Sequence, residues 1–205
     1  MDTYVHKFIR GEQDLTALVL HGTGADENDL IPLVQNLLPE VNILSLRGDE
    51  SENGMTRFFR RFADGSFDLE NIRAKVAKLS NFLALVVNEY QINPKKIVGF
   101  GFSNGANMLA SLMLLQPELL NAAVLLRPTL PLQPDAQIKL TGKKILVASG
   151  LVDSYAPQAK VNELISLLKS AGAVVTQHLH PGGHELGSDD LAAVAKWYQQ
   201  YQGAN

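Results

Sequence analysis

The segment Gly101-Phe102-Ser103-Asn104-Gly105 is the part of the chain best suited to chemistry. It has the G-x-S-x-G spacing of a nucleophile elbow, in which a serine sits on a sharp turn between a strand and a helix. The glycines serve sterics, because neighbouring chain must pass close to the turn. The helix behind Ser103 would aim free N–H groups and its positive dipole end at the place where negative charge develops. A serine hydroxyl is a weak nucleophile unaided and needs a base with a group to orient it. His184, in Pro181-Gly182-Gly183-His184, and Asp153, in Ser149-Gly150-Leu151-Val152-Asp153, fill those roles. Both follow apolar runs that read as strands, and open α/β sheets gather their sites past the carboxyl ends of strands. The chain order Ser103, Asp153, His184 is that of the α/β-hydrolase class. His21-Gly22-Thr23-Gly24 follows another such run. It supplies an oxyanion hole from the Thr23 N–H, with the Asn104 N–H as the second donor. His21 itself is read as a residue that orients this loop by hydrogen bonding.

These groups need a scaffold. Ala17–Leu20, Val41–Leu46, Ile97–Phe100, Ala122–Leu126, Ile145–Ala148 and Val174–His180 are short, nearly continuous apolar runs. They suit strands covered on both faces. Helical periodicity fills the intervals. Asp68 can cap a long helix with Leu69, Ile72, Val76, Leu79, Leu83 and Val86 on one face, stopped before Pro94. Pro157 opens a second, ended by Gly172, and Ser188 caps the last. Strands alternating with helices predict one α/β domain over residues 1–205, with a mostly parallel sheet and helices on both faces. The stretch between Leu126 and Ile145 is short and Pro-rich, so no large cap is expected. The site should therefore be shallow and favour short acyl groups. The long irregular stretch is about residues 47–67, and loops of that length tend to be functional.

Other chemistries fit less of the chain. There are 0 cysteines, which excludes disulfides, thiolate metal sites and a cysteine nucleophile. A net charge of -3 gives no electrostatic case for nucleic-acid binding. No run is long enough to span a bilayer. The N-terminus has no basic segment followed by an apolar one, so the expected location is cytoplasmic. His178, His180 and His184 share a pattern that could hold a metal, but lack a carboxylate at ligand spacing, so no metal or other cofactor is expected. Asp26, Glu27 and Asp29 read as an acidic helix start. Gly99-x-Gly101-x-x-x-Gly105, with Arg127 for a 2′-phosphate, misses the dinucleotide spacing by one residue and leaves the other motifs unexplained. In the long loop, Arg57 with Phe58 and Phe59 forms a candidate substrate-binding group, a guanidinium gripping a substrate carboxylate. The alternative is a solvated face, with Arg60 and Arg61 outward and the phenylalanines packed inward.

The motifs Leu20-His21-Gly22-Thr23-Gly24 with Asp26, Gly101 to Asn107, Asp153 to Pro157, and Gly183-His184-Glu185-Leu186 resemble the bacterial phospholipase/carboxylesterase family, relatives of acyl-protein thioesterases. The resemblance covers essentially the whole chain. It implies Ser103, Asp153 and His184 as a catalytic triad that cleaves carboxylic esters through an acyl-enzyme. Leu46-Arg47-Gly48 and Glu52 to Arg61 further resemble the branch of hydrolases associated with methylhydroquinone stress, which implies a small ester or aromatic substrate. The chain departs from the pattern at Leu126-Arg127-Pro128-Thr129-Leu130-Pro131, where a histidine or other small pattern is expected before the proline. A thioesterase or lysophospholipase would use the same triad, and a ligand-binding protein could share the fold without turnover. The expected partner is a small-molecule ester, with a homodimer as the alternative to a monomer.

Overall fold

The computed structural model describes residues 3–203, so the outermost ends of the expected 1–205 domain, Met1, Asp2, Ala204 and Asn205, lie outside it. The parallel strands are β2 (Thr16–Leu20), β3 (Asn42–Leu46), β6 (Ile97–Phe102), β7 (Ala122–Leu126), β8 (Lys144–Gly150) and β9 (Val174–His180). With β1 (His6–Ile9) they form one seven-stranded sheet in the order β1-β3-β2-β6-β7-β8-β9. Strand β1 pairs antiparallel with β3 and was not evident in the apolar pattern.

The period-two alternation of each strand divides its side chains between two cores. Leu18 and Leu20 of β2 and Leu125 of β7 enter one. Helices α2 (Leu69–Glu89), α3 (Asn104–Leu115) and α4 (Gln158–Ser170) cover that face. Ala17, Val19 and Val124 enter the other, under α1 (Ile31–Leu37) and α5 (Ser188–Gln202). On α2, Ile72, Val76, Leu79, Phe82, Leu83 and Val86 are buried. Each such side chain removed from water contributes about 1.5–3 kcal/mol before entropy. Asp68 caps α2 by accepting the Asn71 N–H at 3.0 Å.

Three expectations change. β9 is an edge strand, with Val174 and Leu179 exposed, and among the described residues no further strand pairs with its outer side. Ser188 is the first residue of α5 and Gly187 precedes it as the cap, where Asp190 accepts the Gly187 N–H at 2.8 Å. The acidic cluster before α1 lies ahead of the first turn, and Glu27 there pairs with Arg47 at 2.5 Å. The long loop also contains a hairpin, β4 (Glu50–Glu52) with β5 (Met55–Arg57), turning on left-handed Asn53 and Gly54. Residues 127–143 form no helix, so no helical cap stands over the sheet there.

The strand-to-helix elbow depends on close approach. A Cβ on Gly105 would lie 2.1 Å from the Leu20 carbonyl oxygen and 2.6 Å from that of His21. Only a glycine lets the first turn of α3 seat against the end of β2. Replacing Gly105 by alanine should therefore destabilise the fold by about 1–3 kcal/mol. Urea unfolding followed by circular dichroism reads this directly, and a wild-type midpoint would contradict the packing described.

Candidate functional site

Ser103 follows β6 with φ 51 and ψ −113, in left-handed space that a serine rarely occupies. Such a residue costs of order 1–3 kcal/mol and persists where its surroundings dictate it. The strain lifts the hydroxyl out of the turn towards the loop after β9. There His184 Nε2 lies 2.8 Å from Ser103 Oγ. The other ring nitrogen, Nδ1, lies 2.7 Å from Asp153 Oδ2. Asp153 follows β8, and its second oxygen accepts the N–H groups of Tyr155 and Ala156 at 2.8 and 3.0 Å. With that carboxylate acting as acceptor, Nδ1 carries the proton and Nε2 is left to accept from the serine. Phe102 and Tyr155 pack their rings about the imidazole, at 5.2 and 5.1 Å between centroids.

Thr23 and Asn104 meet on the other side of the serine, and their backbone N–H groups have no hydrogen-bond partner among the described residues. Three consecutive residues of the long loop hold both. The Thr56 carbonyl accepts the Gly24 N–H at 2.9 Å and its hydroxyl donates to Ala25 O. Arg57 Nη1 donates to Thr23 Oγ1 at 2.9 Å, and the Phe58 N–H donates to Asn104 Oδ1 at 2.7 Å. His21 fastens the same loop from below. Its Nε2 accepts the Gly48 N–H at 3.0 Å, so Nδ1 carries the proton donated to Gly22 O at 2.6 Å. Burial lowers the His21 pKa, outweighing the opposing pull of the Gly22 carbonyl and nearby acids, so the ring stays neutral.

These groups open onto a cavity of about 530 Å³. Arg57 lines it, but Phe58 and Phe59 are 1% and 0% exposed and stand in the core instead. The expected substrate contact from the two phenylalanines is thus corrected: each hydrophobic ring is better satisfied under the hairpin, and Phe59 packs edge-on against Phe67. Arg57 is itself only 3% exposed and engaged by Thr23, Phe59 O and Glu52. Arg60 points outward to Asp68, whereas Arg61 lines the cavity.

Arg127 was missed as part of this assembly. It follows β7 with φ 55, and its side chain is wholly buried. The guanidinium donates to both oxygens of Asp190 at 2.9 and 2.7 Å. It also donates to the carbonyls on either side of His184, Gly183 O at 3.0 Å and Glu185 O at 2.6 Å. Burial opposes ionisation of Asp190, but hydrogen bonds from Arg127 and Gly187 N–H outweigh it and hold the carboxyl below its usual range. The residue that breaks the family pattern therefore holds the histidine loop, and no phosphate is needed to explain it. His178 and His180 do find carboxylates, Asp190 at 3.4 Å and Asp189 at 3.2 Å. The Asp190 oxygens are already taken by Arg127, however, and a metal cation there would lie against a guanidinium. His184 is directed away to Ser103.

The chain belongs to the phospholipase/carboxylesterase family, whose pattern it matches over residues 8–201. It is 31% identical to the protein named putative hydrolase MhqD of Bacillus subtilis, over 95% of this chain and 98% of that protein. Among solved structures it is similar to a Bacillus cereus carboxylesterase, with 38% identity, a TM-score of 0.92, and 95% and 93% of the two chains covered. YahD, solved with malic acid, matches with 25% identity and a TM-score of 0.90 over 97% and 99% of the chains.

Removing one partner of a buried ion pair strands the other charge. Arg127→Met should lower the unfolding free energy by about 3–5 kcal/mol, and Arg127→Met with Asp190→Leu should recover part of that loss. Urea titrations of the two variants test this; a single variant within about 1 kcal/mol of wild type would contradict the clamp.

Proposed function

We propose that the protein hydrolyses carboxylic esters with short acyl groups, using Ser103 as nucleophile, His184 as base and acid, and Asp153 as the group that orients the imidazole. The observation that carries this reading is the unbroken hydrogen-bonded chain from Ser103 Oγ through His184 to Asp153, opening into a cavity with two free backbone N–H groups. Ser103 Oγ attacks the ester carbonyl as His184 Nε2 takes its proton. Asp153 stabilises the imidazolium formed. The carbonyl oxygen becomes an oxyanion between the Thr23 and Asn104 N–H groups, each worth about 3 kcal/mol in such sites. As the intermediate collapses, His184 returns the proton to the leaving alkoxide and an acyl-Ser103 ester remains. Water then attacks with the same base, and the acid leaves.

The cleft argues for small substrates. Its wall interrupts apolar surface with Arg57, Arg61, Thr129 and Lys160, so successive methylenes of a long chain gain little burial there. YahD, of the same fold, was solved with malic acid, a small dicarboxylic acid. Ester hydrolysis is also the activity by which the Bacillus cereus relative is named.

A p-nitrophenyl ester series from acetate to palmitate tests the reading. Wild type should prefer acetate and butyrate over palmitate by at least about tenfold in kcat/KM, a difference of about 1.4 kcal/mol. Ser103→Ala should lose at least about a thousandfold in kcat. Turnover that survives in Ser103→Ala, or a preference for palmitate, would overturn the assignment.

A further inference from the structure

The charged side chains that line the cavity before Ser103 are of one sign only. Arg57, Arg61 and Lys160 line it, and no carboxylate stands among its lining residues. The nearest acidic partner of the arginines is Glu52, set behind them. Its carboxylate accepts from Arg61 Nε at 2.8 and 3.0 Å and lies 2.7 Å from Arg61 Nη2. The same carboxylate is 3.2 Å from Arg57 Nε. Those Arg61 hydrogen bonds hold the Glu52 pKa below its ordinary value, so it is ionised. One negative charge thus faces two guanidinium groups, and the cluster keeps a net positive charge. Lys160 contributes less, because it is half-exposed and paired with Glu163 at 2.9 Å.

The cluster's position relates it to the reacting carbonyl. Arg57 touches Thr23 directly and is spent on holding that loop. Arg61 stands one carboxylate further out and its side chain is 33% exposed. Its Nε and Nη2 face Glu52, while Nη1 has no partner among the described residues. An ester with its carbonyl oxygen at the Thr23 and Asn104 N–H groups would send the substituent on the hairpin side towards that free edge.

We propose that the cleft selects esters bearing a carboxylate on this substituent, and that Arg61 is the residue that binds it. The inference rests on the ester-hydrolase reading above. A guanidinium suits the task because its charge is permanent and its planar donors match a carboxylate. The role expected at Arg57 from its residue type therefore passes to Arg61, and Arg57 positions the oxyanion loop.

Monoethyl succinate and ethyl butyrate test this, since the two differ by a carboxylate in place of a methyl group. Proton release in a pH-stat reads both. Wild type should favour the succinate by about tenfold in kcat/KM at low salt, and the ratio should shrink at high ionic strength. Arg61→Met should bring the ratio close to one, and Arg61→Lys should restore part of it. A wild-type ratio of one or less, or a ratio that survives in Arg61→Met, overturns the proposal. Calorimetric binding of both esters to Ser103→Ala separates it from the ester-hydrolase reading. Tighter binding of the succinate without wild-type turnover would leave anion selection standing and remove the hydrolase. Equal binding alongside turnover would do the reverse.

Discussion

The site depends on how closely the first turn of α3 approaches the end of β2. Gly105 lies against the Leu20 and His21 carbonyls with no room for a side chain. That contact brings the Ser103 elbow and the Gly22–Gly24 loop together, so the two backbone N–H groups flank the serine hydroxyl. Two residues ahead of that contact, Ser103 stands in left-handed space. The local cost, about 1–3 kcal/mol, is offset by α3, whose residues Asn104 to Leu114 are buried between the strands and α2. A rigid helix and a rigid sheet thus hold a strained residue that a free loop would release.

Two clamps complete the arrangement, one on each side of the serine. On the hairpin side, Thr56, Arg57 and Phe58 each fasten a different point of the Thr23–Ala25 loop and the start of α3. On the histidine side, Arg127 holds the backbone before and after His184 and is neutralised by Asp190 on α5. Polar residues here divide into those that face the cavity and those that hold them. The second group lies deeper, because a hydrogen bond in the interior exchanges with water less readily and keeps its geometry. Positioning of this kind matters because reacting groups must be held close to their productive geometry before the substrate arrives.

Much of the site was legible in the sequence because its motifs are local. A glycine pair about a serine, and aspartate and histidine just past apolar runs, report strand ends and turns within a few residues. That the sheet is mostly parallel followed from the same apolar runs alternating with helices. What escaped was long-range or lay at an edge. Arg127 and Asp190 are 63 positions apart, and nothing near either one marks them as partners. The edge strand β1 carries a weaker apolar signal than the central ones, and β9, read as a strand, gave no local sign that it lies at an edge. The hairpin was different: Asn53-Gly54 is a strong local turn signal, but its strands are only three residues each and alternate little. Arg57, Phe58 and Phe59 have residue types suited to binding, and only the fold shows that the phenylalanines face the core.

Whether Ser103 is the activated nucleophile is read by covalent trapping. The protein would be incubated with a small fluorophosphonate, and its intact mass and peptide map recorded. One adduct per chain is expected, on the peptide containing Ser103, with labelling slowed at least about a hundredfold in His184→Ala. An adduct on another residue, or labelling of Ser103 at an unchanged rate without His184, would contradict that role.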